Sequence, residues 1–222
     1  GVARILAQWA DSTLFWAAMA YTLQPKGAAS MWEGAPPEVA KAFAADRAAM
    51  SQNMTRLRPA DATAAYRSYL RRVAHMLEQN DFLLGDAPCV ADFAVYNPLW
   101  FTRRVPAMAG IFDATPGVLQ WMDRMAALGH GEKEKFDSAQ AIAVAAASQP
   151  VAIRADEHFQ DDHGIALGSR VSIAAESFGT ETTEGELVAY TRTHFTLRRS
   201  DERAGTVHVH FPRIGFVLRA LA

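Results

Sequence analysis

Cysteine is almost absent from this chain: Cys89 stands alone among 222 residues. An intramolecular disulfide is therefore excluded, and the composition fits a reducing compartment such as the cytoplasm. An excess of one charge is missing too. The formal net charge is −2, so nothing calls for a nucleic-acid or anionic-membrane partner. Long apolar runs are also lacking. The longest charge-free helical run near the start, Ser12 to Pro25, has 14 residues, too few for a membrane span. Asp11 interrupts the first apolar stretch, so no signal peptide is visible. The chain opens at Gly1 without a methionine, which reads as an excised fragment. What remains is globular in composition, half apolar and 21% charged. The length gives room for one large or two small domains.

The hydrophobic period changes once along the chain. Residues 1–149 read as helices. The first covers 3–23 and is apolar nearly all round, as expected of a helix that is central or covered by something else. A second starts at Pro36-Pro37 and runs to about Asn53. A third, about Asp61 to Gln79, is amphipathic: Tyr66, Tyr69, Leu70, Val73 and Leu77 form a stripe opposite Arg67, Arg71 and His75. The next helix begins at Cys89 or Val90, and Pro98 is expected to kink or end it. Thr115-Pro116 reads as a cap and first-turn proline. The stretch 129–138 is a polar connector, and a short alanine-rich helix follows over 138–148. After Pro150 the period becomes 2, with Val171/Ile173, Leu187/Ala189, Phe195/Leu197, Val207/Val209/Phe211 and Phe216/Leu218 alternating. Five short strands punctuated by glycines suggest a small barrel over 150–222. The expected fold class is α+β, an all-α bundle followed by an antiparallel β-barrel of about five strands.

One carboxylate, Asp92, sits in the apolar segment FLLGDAPCVADFAVY (82–96). It lies three residues after Cys89, the spacing of a capping box. The acid at the third helical position folds back onto the N–H of the cap residue, near the positive helix start. Asp92 can then be buried and still be paired, which makes its role structural. A thiol is a poorer acceptor than a hydroxyl, so Asp92 is expected to do most of the capping.

That segment resembles the C-terminal helical domain of glutathione S-transferases. Leu84, Gly85, Asp86, Pro88, Ala91 and Asp92 match the family's loop before its central helix, with Cys89 in place of serine or threonine. TPGVLQWMDRM (115–125) resembles the following helix. The similarity covers roughly residues 3–130, within a helical domain placed at 1–149. It implies an N-terminal thioredoxin-like domain that binds glutathione and carries the catalytic Ser, Tyr or Cys, and no such segment is expected within this chain. The helical domain would supply the wall for the hydrophobic co-substrate. Trp9, Phe15, Trp16 and Met19 on the first helix are the wall candidates. No residue of the chain is assigned a catalytic role, and glutathione would need the absent domain. The uncovered first helix predicts self-association as a homo-oligomer, a dimer in the simplest case. The alternative is a non-catalytic interaction module on a transferase-like scaffold.

Three other clusters combine reactive side chains with plainer readings. Cys89 at a helix start could be an activated thiol, but no histidine is near in sequence and the family uses this position as a cap. HFQDDH (158–163) reads as a polar loop without metal-ligand spacing. In GTVHVHFPR the valines and Phe211 share one face, so His208 and His210 share the other. Matching parity in the preceding strand places His194, with Arg192 and Arg198, on that same face. Those five residues are a candidate anion or partner patch, or simply a solvated face. The two arginines oppose a metal ion there. From Pro150 onward there are 8 Arg and 10 Asp+Glu, which argues against nucleic acid.

Overall fold

The computed structural model describes residues 1–52, 54–55, 57–153, 162–179 and 181–221. They form two compact units, Gly1–Ala42 with Thr55–Glu132, and Phe43–Met54 with Lys133–Ala222.

The first unit is helical. Its opening segment comprises α1 (Val2–Trp9), a π-helical turn at Ala10–Leu14, and α2 (Phe15–Thr22). The expected single helix over 3–23 is thus present, with an irregular turn inside it. A short α3 (Pro25–Met31), missed in the sequence, follows with proline in its first turn. Then come α4 (Pro37–Met50), α5 (Pro59–Met76), α6 (Val90–Arg103) and α7 (Pro116–Ala127). α1 packs on α6 and α2 on α5. Tyr66, Leu70, Leu99 and Trp121 are fully buried between them.

Pro98 does not end α6, which continues to Arg103. Proline forfeits one backbone bond, to the carbonyl of Ala94. Here that loss is outweighed by burial: Val95, Pro98, Leu99 and Thr102 all lie in the core. The Thr102 hydroxyl also donates to the Pro98 carbonyl at 3.2 Å. Thr115 precedes α7 as expected, but its hydroxyl donates backward to the Phe112 carbonyl (3.2 Å) instead of capping the helix.

The second unit holds α8 (Ser138–Ala146) and β1 (Arg170–Ala175), β2 (Thr183–Tyr190), β3 (His194–Asp201), β4 (Gly205–Pro212) and β5 (Phe216–Ala220). All pairings are antiparallel. The expected barrel is not formed. The sheet is open, in the order β4-β3-β2-β1-β5. The last strand returns to pair with β1, leaving β4 and β5 as the two edges. Closure would require those edges to bond each other, and among the described residues they do not. The alternation holds for Val171, Ile173, Phe195, Leu197 and Leu218, buried with Leu187 on one face. The expected Leu187/Ala189 pair is broken by a bulge, after which Ala189 pairs with Thr196 and Tyr190 enters the core instead. The later half of α4 also belongs to this unit. Arg47 lies 5.8 Å from the Phe178 ring, and the Gly179 N–H donates to the Met50 carbonyl at 3.1 Å.

Candidate functional site

In the helical unit the structure first resolves Asp92. Its Oδ2 accepts from the Cys89 N–H (2.9 Å), the strong limb of the predicted box. Its Oδ1 accepts from the Leu83 N–H (2.9 Å) and from the Trp121 indole (3.0 Å). The carboxylate is fully buried and has three donors. It ties the 82–85 loop, the start of α6 and the middle of α7 into one body. All three donors belong to the chain's own fold, and Cys89 is the cap residue of α6. Only the Cys89 contact lay within reach of sequence spacing.

The four wall candidates separate from one another. In an uninterrupted α-helix Trp9, Trp16 and Met19 would share a side. The π turn adds a residue, which rotates everything after it by about 100°. Trp9 turns edge-on to Tyr69, 5.4 Å away. Met19 is buried in the core. Phe15 and Trp16 pack edge-to-face at 5.0 Å and stay partly open to solvent.

A further apolar surface was not apparent in the sequence. On α6, Val90, Phe93 and Trp100 follow one another at helical spacing and are 47%, 55% and 39% exposed. Val2 and Ile5 on α1, the helix packed against α6, are exposed as well. The signal was available: Phe93 and Val95 cannot face the same side of a helix, and Val95 is core.

In the second unit the predicted parity holds. Thr196 pairs with His210, Arg198 with His208, and His194 with Pro212. The rings of His194 and His210 lie 5.6 Å apart, and those of His208 and His210 6.5 Å. Arg198 is engaged by Glu186 in a two-pronged pair, at 2.7 and 3.2 Å. Arg192 sits exposed in the turn before β3, outside the strand. The three imidazoles are therefore brought together, with Arg198 opposite His208 but held by Glu186, and Arg192 outside the strand. Among the described residues no group of three His, Cys, Asp or Glu side chains could hold a metal ion. Of the 158–163 segment, residues 158–161 lie outside the described residues. His163 packs edge-on to Tyr190 and Phe195. No helix among the described residues is long and apolar enough to cross a membrane.

The comparisons follow this division. Residues 11–128 match the model of the glutathione S-transferase C-terminal domain. Among solved structures, a GST-like protein from Pseudomonas syringae is 36% identical with a TM-score of 0.74, over 98% of this chain and 68% of that one. The beta-etherase LigF from Sphingobium sp. strain SYK-6 is 17% identical over 56% of each chain, with a TM-score of 0.37, a likeness too weak to argue from. No curated protein matches. The helical match spans more than half of the chain, and the Pseudomonas syringae likeness extends across the sheet unit as well. By both measures the chain belongs to the glutathione S-transferase family.

Proposed function

We propose that the helical unit is the hydrophobic-substrate half of a glutathione S-transferase-like protein. The reaction by family resemblance is addition of the glutathione thiolate to an electrophile. Glutathione itself would be held by a thioredoxin-like domain outside these 222 residues. The observation that carries this reading is the uncovered apolar stripe of Val90, Phe93 and Trp100 on α6, beside Val2 and Ile5 of α1. Exposed apolar surface of this kind marks a face built to meet another body. A thioredoxin-like domain seated there would turn the partly open Phe15–Trp16 pair into a wall beside its thiol. Left uncovered, the same stripe would drive self-association of the isolated chain.

The test has two steps. The 222-residue chain, mixed with glutathione and 1-chloro-2,4-dinitrobenzene, is expected to give no turnover above the uncatalysed rate. In the parent protein carrying a thioredoxin-like domain, Trp16→Ala is expected to raise KM for the aryl chloride about five- to tenfold, the effect of losing one apolar contact. KM for glutathione should stay within twofold. Turnover by the isolated chain, or equal effects on both substrates, would overturn the reading. A parent protein without such a domain would favour the interaction module.

A further inference from the structure

The second unit contains a cleft of about 510 Å³, between the end of α8 with residues 148–153 and the even-numbered face of β3 and β4. That volume is ordinary for a small-molecule site. One wall is apolar, formed by Ala145, Pro150, Val151 and Ile153. The other carries His194, His208 and His210.

The imidazoles are held in place. Nδ1 of His210 is bonded to the hydroxyl of Thr196 at 2.9 Å, and Thr196 is fully buried. Nδ1 of His194 lies 3.0 Å from the Thr191 hydroxyl and 3.2 Å from that of Thr193. Two rings are thus oriented by threonines in the sheet and its turn. No carboxylate is among the described residues lining the cleft. Glu186, across β3 from His208, is occupied by Arg198. α8 has no charged residue between Ser138 and Ala146. Among the described residues, protonated His208 and His210 would meet each other and Arg198.

We infer that this cleft binds a small organic anion, a carboxylate on an apolar body, with its charge on His208 and His210 and its body against Pro150, Val151 and Ile153. The state of His208 agrees with this geometry. Partial burial, the neighbouring His210 and Arg198 together hold its pKa below the ordinary histidine value. An anion would relieve the repulsion between these groups and raise the imidazole pKa values on binding. The sign follows from linkage. The ligand favours the charged form, so affinity is greatest at low pH and falls as pH rises through the imidazole range. The site lies wholly within the second unit, so it stands or falls independently of the transferase reading.

The probe is sodium benzoate, titrated into the 222-residue chain while the histidine ring protons are followed by NMR, with sodium chloride at equal ionic strength as the blank. The His208 and His210 signals are expected to move saturably. Affinity should be at least about tenfold weaker at pH 8 than at pH 5.5, because the ligand favours the charged imidazoles. Benzamide, the neutral analogue, should show no such pH dependence. His210→Gln, an exposed position, should lose most of the affinity while melting like the parent. His208→Gln gives a second reading should the first variant unfold. The proposal is overturned by pH-independent benzoate binding, by equal binding of benzamide at pH 5.5, or by shifts confined to other residues. It is equally overturned if zinc chloride moves all three rings and benzoate moves none.

Discussion

Replacing Asp92 with alanine is expected to cost the helical unit at least about 3 kcal/mol. The estimate follows from the donors left behind. The carboxylate accepts from Leu83 N–H, Cys89 N–H and the Trp121 indole, and it is fully buried. Each buried donor deprived of its acceptor costs about 1–3 kcal/mol, and the cap itself about 1 kcal/mol. Some relaxation returns part of that sum, since the Cys89 amide can reach water at the helix start. Asp92→Asn should fall in between. Its remaining oxygen still serves Leu83 and Trp121, but its amide group then faces the Cys89 N–H, donor against donor. Trp121→Phe should cost less than Asp92→Ala, because two of the three donors stay paired. Urea unfolding followed by tryptophan fluorescence measures all three, with the indole-deleted variant read by circular dichroism. An Asp92→Ala variant within about 1 kcal/mol of the parent would refute the role assigned to this carboxylate.

Asp92 also shows what could be read from the sequence and what could not. The Cys89-to-Asp92 contact spans three residues, and helix geometry fixes that distance whatever surrounds it. The bonds to Leu83 and Trp121 depend on how a loop and another helix pack, and no local spacing encodes them. The sheet divides in the same way. Parity put His194, His208 and His210 on one face, because a strand alternates sides without regard to its neighbours. Whether that sheet closes depends on which edge the last strand chooses, and β5 chose β1. The covering of the histidine face by α8 and residues 148–153 is likewise a tertiary fact. On the first helix the π turn at Ala10–Leu14 breaks the period that would have placed Trp9, Trp16 and Met19 on one side. α3 was missed because PKGAASM has no apolar period to detect.

That overlooked helix contains the second large expected effect. Gly27→Ala should destabilise the helical unit by about 3 kcal/mol or more. Gly27 is buried in α3, where a Cβ would stand 1.9 Å from the Thr22 carbonyl oxygen and 2.8 Å from Cγ of Met108. The methionine side chain can swing aside, but the carbonyl belongs to the backbone at the end of α2. Nor can Thr22 easily retreat. Its hydroxyl is 2.7 Å from that of Thr102, which accepts from Tyr66 at 3.1 Å and donates to the Pro98 carbonyl. All four of these residues are buried, so moving Thr22 disturbs a connected polar group in the core. Inserting one methyl into a packed core typically costs about 1–3 kcal/mol, and an obstacle made of pinned backbone lies at or above the top of that range. The gain in helix propensity from glycine to alanine, about 1 kcal/mol, works in the opposite direction and is too small to compensate. Gly117→Ala supplies the control. That glycine also sits in the first turn of a helix, and a Cβ there would meet nothing within 4 Å. It should therefore be neutral, or stabilising by up to about 1 kcal/mol. Thermal unfolding of the two variants, followed by tryptophan fluorescence, compares them directly. A Gly27→Ala variant that melts with Gly117→Ala would mean that α3 does not approach α2 as closely as this geometry requires.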